Sequence, residues 1–558
     1  MFIAILAVAL FGAIFALRHY GLDALWSKFT ASQNVSSTRQ DEASDLGEWQ
    51  KQNFTAYYNQ EIKWGACEDL DASQASGADA LPSLIKPTEF ECADVKAPLI
   101  WSEPSAELAK DYTLDANPYD SGTQASINLH IAREKLSTYP GKSLYFNPGG
   151  PGASGVSYLP QIISEFPDSL RAAYDITTWD PRGVGKSSPI ECFENSAEEL
   201  KFVYTSIPGQ MPDNYDATLA EASGFQKSCA DHTGSLLKYI DTQSAARDLN
   251  LISALIGSDK TDYIGFSYGT DLGAVYAGLF PQNVGKYVLD GAALPGETLE
   301  QTALAQAGGF QVALNAYLED CITTSASTCP FAGQTVEYAN SWIAASIKKL
   351  KDTPLKTSTG RELNDIGFFY GLAYTLYSKE SWMYLSLALE SLKKSASPDI
   401  FLILSDAYFE YNSRTEHFES NMFEGNIAVN CLDRQNAFDM EGEAKNADEI
   451  MKVAPTLGSF FVYPEVSCEP FTKATNQIKY DQSAPDTGSI LVIGTLRDPA
   501  TPYQSAEEMA KMFKNGVLLT YDSDGHTAFL SDTGELQKAV VAYFIDGTVP
   551  ENGSEYKP

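Results

Sequence analysis

Residues 261–280 of the chain read TDYIGFSYGTDLGAVYAGLF and place one serine, Ser267, between the glycines Gly265 and Gly269. A short apolar run precedes the serine, and a segment of helical character follows it. Glycines on both sides let the backbone turn too tightly for larger side chains, as at a nucleophile elbow between a strand and a helix. A plain glycine-lined turn would give the same five residues, so the rest of the chain must decide between the two interpretations.

The composition describes a large globular chain. Its 558 residues are 44% hydrophobic and 20% charged, which allows several lobes around a substantial core. The 39 basic residues are outnumbered by 73 acidic ones, giving a formal net charge of −34. Such a charge disfavours nucleic acid as a partner, because the phosphates would be repelled. It favours solubility but identifies no partner.

The eight cysteines indicate disulfides rather than metal ligands. None forms a C-x-x-C pair and none lies in a histidine cluster of zinc-like spacing, so we expect no metal and no cofactor. An even number of scattered cysteines is typical of an oxidising compartment, although buried free thiols are the alternative. Short loop closure favours pairing in sequence order. The predicted pairs are Cys67–Cys92, Cys192–Cys229, Cys321–Cys329 and Cys431–Cys468.

The N-terminus indicates export. Residues 1–17 are apolar and uncharged, a run that is marginal for a membrane span and long for the hydrophobic region of a signal peptide. We expect residues 1–30 to be a signal peptide or a membrane anchor, and the polar residues 31–60 to be a linker. Arg18 and His19 after the apolar run would by the positive-inside rule keep the following domain in the cytoplasm. The cysteines argue against that, so an extracellular or cell-surface location is predicted.

Alternation of short apolar runs with helical segments predicts an α/β fold. From Lys142 onward the runs are almost continuously apolar, as in parallel strands covered on both faces. Right-handed crossovers would then connect the strands into a mostly parallel central sheet. The pattern becomes mainly helical in the middle of the chain, which predicts an inserted helical cap over the sheet edge. The expected divisions are a first core part at 61–293, the cap at 294–486 and a second core part at 487–558.

A nucleophilic serine needs a base to take its proton and a carboxylate to orient that base. Of the five histidines, His526 in YDSDGHTAFL directly follows the last predicted strand, where a loop can aim its ring over the sheet edge. Asp498 in LVIGTLRDPATP ends the preceding strand and is the preferred acid. Asp290 in YVLDGA lies at a similar strand end and is its rival, although we expect it to bond backbone groups at its own turn. The less suitable histidines are His19, His130, His232 and His417.

Negative charge on the substrate oxygen requires two backbone N–H donors. Tyr268, directly after the serine, supplies one. The loop YFNPGGPGASG follows an early strand and is suited to supply the other, because Gly149, Gly150 and Gly152 let the backbone approach a substrate closely. The glycine-rich loop alone would be weak evidence for an oxyanion hole, but a glycine-rich loop followed by an elbow at Ser267 is a specific signal.

The ordered motifs NPGGPGASG, WDPRGVGKSSPIEC, YIGFSYGTDLGAVYAGLFP, GTLRDPATP and SDGHTAF resemble those of α/β-hydrolase peptidases related to proline iminopeptidase. Within these peptidases they most resemble the secreted tripeptidyl aminopeptidase group of actinobacteria. The similarity extends from about Trp64 to Phe544. The glycine loop begins with Asn-Pro rather than the histidine common in proline iminopeptidases, which suits the tripeptidyl group better than strictly proline-specific enzymes.

The resemblance implies an α/β-hydrolase fold and a role for each site residue. Carried over to this chain, the nucleophile is Ser267, the acid Asp498, the base His526, and the oxyanion donors Gly150 and Tyr268. The implied activity is that of an exported serine exopeptidase releasing short N-terminal peptides.

An aminopeptidase also needs a carboxylate for the ammonium of its substrate. Asp433 in NIAVNCLDR is one candidate, and Glu319 and Asp320 in LEDC are others. Two alternatives to a peptidase remain open from the sequence. One is a carboxylesterase on the same scaffold, and the other is an inactive hydrolase that serves as a binding module.

Overall fold

The structure of the protein is a computed structural model, which describes residues 46–67, 70, 90–101, 125–135, 142–207, 211–325, 327–394, 397–434, 437–472, 474 and 487–558. The predicted signal peptide or anchor at 1–30 lies outside these ranges. Among the described residues, no helix combines the length and the apolar character needed to cross a membrane.

The centre of the molecule is a ten-stranded sheet with the strand order β1-β2-β3-β5-β4-β6-β7-β12-β13-β14. The strands are β1 Gly65–Ala66, β2 Phe90–Pro98, β3 Ser126–Glu134, β4 Lys142–Asn147, β5 Tyr174–Trp179, β6 Thr261–Phe266, β7 Val284–Asp290, β8 Leu355–Lys356, β9 Glu362–Leu363, β10 Tyr411–Asn412, β11 His417–Phe418, β12 Ile490–Arg497, β13 Gly516–Asp524 and β14 Ser554–Tyr556. Pairing is antiparallel from β1 through β3 to β5 and parallel from β5 to β14. The expected mostly parallel sheet is confirmed.

Helices cover the sheet, so its parallel strands are buried on both faces. Every residue of β5 and β6 is buried, including the polar ones, as expected of parallel strands covered by helices on both faces. The helices are Leu46–Asn53, Thr55–Tyr58, Gly155–Ile162, Asp168–Ala173, Ser196–Val203, Tyr215–Thr233, Thr242–Ile256, Tyr268–Leu279, Leu299–Thr323, Val336–Asp352, Asp365–Leu376, Trp382–Lys393, Asp399–Tyr408, Met422–Arg434, Met440–Val453, Glu465–Cys468, Tyr503–Met512 and Glu535–Asp546.

Between β7 and β12 the chain leaves the sheet, and the helices there fall within the residues predicted as the cap. The two strands nevertheless pair directly, with Val288 opposite Leu491, so the insertion leaves the sheet continuous. The helix Met422–Arg434 lies against the glycine-rich loop after β4. A Cβ added at Gly152 would come within 2.5 Å of the Met422 carbonyl oxygen, so this contact needs glycine.

The described part of the predicted linker differs from the expectation. Residues 46–58 form two short helices that pack on the core instead of a polar connection. The ring of Phe54 lies 5.0 Å from that of Trp101, and the Gln50 amide donates to the Arg247 carbonyl at 3.1 Å. The reason is local composition, because the Ser/Gln-rich segment gives way to apolar residues before the first strand.

All eight cysteines are paired, and the four predicted disulfides are confirmed. Two lie in the cap. Cys431–Cys468 ties the helix over the glycine loop to a short helix later in the chain, and Cys321–Cys329 closes the end of the first cap helix.

Candidate active site

Ser267 lies on a sharp turn between β6 and the helix Tyr268–Leu279. Its φ of 55° and ψ of −125° are unusual for a residue with a side chain, and such strain is frequent at functional sites. The flanking glycines are required by space. A Cβ at Gly265 would lie 2.2 Å from the Gly269 oxygen, and a Cβ at Gly269 would lie 2.6 Å from the Asn147 oxygen. The local geometry is therefore that of an elbow rather than of an ordinary turn.

Asp498 and His526 meet at the ends of the neighbouring strands β12 and β13. The Nδ1 atom of His526 lies 2.8 Å from each carboxylate oxygen of Asp498, and both side chains are fully buried. Because Nδ1–H donates to the carboxylate, Nε2 is left as the acceptor. Among the described residues, Nε2 of His526 is buried without a hydrogen-bond partner. This arrangement suits a general base.

The end of β7 brings Ser267 and His526 to the same place. The Ser267 N–H donates to the Asp290 carbonyl oxygen at 2.9 Å. The next residue, Gly291, lies against the imidazole, because a Cβ added there would come within 3.1 Å of His526 Cε1. Two consecutive residues of one strand end therefore contact the serine and the histidine.

The carboxylate of Asp290 bonds backbone groups, although not at its own turn. It accepts the N–H groups of Ala528 at 2.9 and 3.1 Å and of Phe529 at 2.8 Å, which lie just beyond His526. Burial raises the pKa of Asp290 to about 6, and the two backbone donors oppose that rise. Asp290 therefore holds the turn after the histidine, while Asp498 holds the ring.

The glycine-rich loop lies directly over the elbow. A Cβ added at Gly149 would meet Ser267 Cβ at 2.9 Å and the Tyr268 nitrogen at 3.2 Å. The Gly149 N–H donates to the Asn147 side chain at 3.0 Å, which fixes the start of the loop. With φ near +100°, Gly149 and Gly150 adopt a backbone that favours glycine. The loop that carries Gly150 thus runs beside the N–H of Tyr268.

Asp433 is linked to Tyr268 through Thr242. The Thr242 hydroxyl donates to Asp433 at 2.6 Å, and the Tyr268 hydroxyl donates to Thr242 at 2.5 Å. Burial and the nearby Asp241 raise the pKa of Asp433 to about 8. The cap helix Met422–Arg434 thereby places a carboxyl group beside the residue that follows the nucleophile.

The neighbouring groups of Asp433 are mainly acidic. Arg434 forms an ion pair with Asp271, and the carboxyl of Asp271 still has a pKa raised to about 6 by burial. Burial likewise raises the pKa of Glu297 to about 7, while Arg434 lowers it. Several buried carboxyl groups thus surround Asp433, and Arg434 is the cation paired with one of them.

The other candidate carboxylates and histidines lie apart from this arrangement. Glu319 is exposed at the end of the first cap helix, and Asp320 pairs with Lys379 at 3.6 Å. His130 contacts Asp94 at 2.8 Å in the antiparallel part of the sheet. His232 and His417 are exposed, and His19 lies outside the described residues.

Two further contacts of the histidine were not predicted. The Thr501 hydroxyl lies 3.0 Å from Asp498 and 3.1 Å from His526 Nδ1, and the Tyr377 carbonyl accepts the His526 N–H at 3.0 Å. The sequence DPAT carries a signal for the first, because an aspartate side chain often accepts backbone N–H groups two or three residues later. Asp498 accepts those of Ala500 and Thr501, which brings Thr501 beside it. Nothing in the sequence indicates the second, since Tyr377 lies far away in the cap.

Comparison with known proteins identifies the family. A family model described as alpha/beta hydrolase fold matches residues 142–533. Serine protease Hip1 of Mycobacterium tuberculosis is 30% identical over 89% of this chain and 91% of its own length. Carboxylesterase B of the same species is 29% identical over 88% of this chain and 94% of that protein. Tripeptidyl aminopeptidase of Streptomyces coelicolor is 26% identical over 78% and 76%. The chain belongs to the alpha/beta hydrolase family and is a serine hydrolase.

Proposed function

We propose that this chain is an exported serine exopeptidase that removes short peptides from free N-termini. The observation that carries the proposal is the buried His526, with Nδ1 bonded to Asp498 and Nε2 unpartnered among the described residues, beside the strand end that also holds Ser267. The motifs that resemble peptidases related to proline iminopeptidase support it. So do the relatives named as a serine protease and a tripeptidyl aminopeptidase.

In the proposed mechanism, Ser267 Oγ attacks the carbonyl carbon of the scissile peptide bond while His526 Nε2 takes its proton. Backbone N–H groups of Gly150 and Tyr268 stabilise the oxyanion of the tetrahedral intermediate. His526 then protonates the leaving amine, and the acyl-enzyme remains on Ser267. A water molecule, deprotonated by the same imidazole, releases the peptide acid. Asp498 keeps the imidazole in the required tautomer throughout.

Restriction to chain ends is assigned to Asp433. A substrate ammonium that enters a covered cleft loses water and needs a negative partner. Asp433 is linked to Tyr268 through a single hydroxyl, and its surroundings are acidic. The carboxylate would therefore bind the free N-terminus on the acyl side of the scissile bond.

Export is supported by two features. Four disulfides are characteristic of an oxidising compartment. The apolar segment at residues 1–17 has the character of a signal peptide or an anchor, so the mature enzyme would be extracellular or held at the cell surface.

The test compares three substrates: a tripeptide amide with a free amine, its N-acetylated twin, and a short-chain ester. We expect the free-amine amide to be cleaved about 10- to 100-fold better than its acetylated twin in kcat/KM, the value of one charge-assisted contact. The Ser267→Ala variant should fold normally and lose this activity. Equal cleavage of the two peptides would contradict the exopeptidase assignment, and full activity of Ser267→Ala would contradict the nucleophile.

The second candidate function is a carboxylesterase. A triad and oxyanion hole serve esters and amides alike, and one relative is named Carboxylesterase B. Strong turnover of the ester with none of either peptide would favour this function. An inactive binding module would cleave none of the three substrates.

A further inference from the structure

A buried ion pair joins a residue beside Asp498 to a residue close to His526. Asp524 lies two positions before His526, and its carboxylate is almost fully buried. It pairs with the Arg497 guanidinium, and Arg497 directly precedes Asp498. The two residues are register partners on the adjacent strands β12 and β13, beside an irregularity in the pairing. The spacing between acid and base therefore depends on this pair.

The cap adds a second cation to the same carboxylate. The Lys379 ammonium lies 3.7 Å from Asp524 Oδ2 and 3.6 Å from Asp320 Oδ1, and it lies 4.9 Å from the centre of the Trp382 ring. Two residues earlier, the Tyr377 carbonyl accepts the His526 N–H, and the Tyr377 ring meets the imidazole edge to face at 5.6 Å. The short cap segment 377–379 thus contacts the histidine loop, residues 524–526, at two points: the backbone of His526 and the carboxylate of Asp524.

The first cap helix, Leu299–Thr323, contacts the backbone of the loop that carries Asp498. The Gln306 amide donates to the Ala500 carbonyl at 3.1 Å. A Cβ added at Gly309 would come within 2.9 Å of the Asp498 carbonyl oxygen, so the helix backbone packs closely on the acid-bearing loop. This helix also carries Asp320, the second partner of Lys379.

Two further charged residues extend this cluster. Arg497 also faces Asp522 at 3.6 Å, and Lys557 lies 3.0 Å from the other oxygen of Asp522. Removing one cation would leave a nearly buried carboxylate short of compensation, which is far more costly than losing an exposed pair. The chain would relieve that cost by moving Asp524, and the histidine two residues later would move with it.

We propose that Lys379 is a positioning residue that couples the cap to the catalytic base by holding Asp524 against Arg497. The inference rests on the proposed assignment of His526 as the base. It implies that His526 is aligned only while the cap segment 377–379 is seated on its loop.

The test measures how fast a fluorophosphonate probe modifies Ser267, together with kcat per titrated active site. Lys379→Met should lower both rates about 10- to 100-fold, the usual cost of a small misalignment of catalytic groups, with KM for a short substrate nearly unchanged. Lys379→Arg keeps the charge and should restore both rates. Lys394→Met is the matched control, because that cap lysine is exposed and its ion pair within the described part of the chain is a local one with Glu390.

Rates per titrated site separate alignment from folding. If Lys379→Met reduces only the number of titratable sites and leaves both rates at the wild-type value, the proposal is overturned. Lys379→Gln gives the same readout if the methionine variant yields no folded protein. An active Ser267→Ala variant would instead overturn the proposed function, so the two failures are distinguishable.

Discussion

At the scale of single residues, Asp498 and Asp290 are two buried carboxylates at neighbouring strand ends with different partners. Asp498→Asn should lower kcat by about 10⁴-fold, because an amide favours the wrong imidazole tautomer. Asp290→Asn should instead lower the stability of the fold, since one of the two carboxylate oxygens that accept backbone N–H groups is replaced by an NH2 donor. Steady-state kinetics and thermal unfolding of both variants measure the difference. A well-folded but inactive Asp290→Asn would reverse the assignment.

Asp433 gives a prediction that depends on pH. With a pKa raised to about 8, the group gains its negative charge only as the pH rises toward 8. A peptide α-amine loses its positive charge above about 7.7–8.0, so kcat/KM for free-amine peptides should peak near pH 8. Asp433→Asn should raise KM for these peptides about 10- to 100-fold and leave ester hydrolysis unchanged.

The matched control for Asp433 is Glu319→Gln, which removes one exposed acid from the cap. It should leave both KM and the pH profile as in the wild type. An unchanged KM in Asp433→Asn would show that another group binds the ammonium.

Some site residues are readable from the sequence because their signals are local. An elbow needs glycines beside its serine, and an acid and a histidine after successive apolar runs must lie at one sheet edge. Contacts that depend on the cap have no such signal. The Tyr377 carbonyl and the Lys379 ammonium reach the histidine loop from about 150 residues away, and no spacing rule predicts that approach.

At the scale of elements, the glycine loop and the elbow fit together without room for a side chain. Gly149→Ala should abolish turnover, because its Cβ would meet the Phe266 carbonyl at 2.6 Å and Ser267 Cβ at 2.9 Å. Gly360→Ala is the control, since Gly360 has a similarly positive φ but nothing within 4 Å of an added Cβ. Kinetics of the two variants then separate crowding at the serine from backbone strain. Equal losses in both would contradict this account.

Strands and helices were predictable where one pattern of apolar residues dominated a segment. Continuous apolar runs correctly indicated strands buried between helices, because only such strands need no polar face. The helices at residues 46–58 were missed because a polar stretch before them concealed a short amphipathic segment. The two-stranded pairs β8–β9 and β10–β11 in the cap could not be predicted, because strands of two residues are too short to show an alternation of apolar and polar residues.

At the scale of the whole molecule, buried acids should make the fold more stable at low pH. Burial raises the pKa of Glu199 to about 9, of Glu424 to about 7 and of Glu443 to about 8. In the unfolded chain these groups ionise near 4.3. Their neutral forms therefore favour the fold fully below that pH, and this contribution is lost as the pH rises toward 7–9.

The free energy of unfolding in urea should accordingly be larger at pH 5 than at pH 8.5. Glu199→Gln should reduce that difference by on the order of 1 kcal/mol or more. Glu551→Gln changes the net charge equally at an exposed position and should not reduce it. A wild-type stability that is the same at both pH values would contradict the argument.

The cap insertion also has a consequence for the order of biosynthesis. The strand pair β6–β7 and the elbow are synthesised about 200 residues before β12 and β13 supply Asp498 and His526. Domains form largely as the chain emerges, and contacts between distant segments form slowly. Ser267, Asp498 and His526 are therefore brought together only after the cap itself has been made. An enzyme completed in this order cannot act on a substrate before its cap has been made, so the topology itself delays activity.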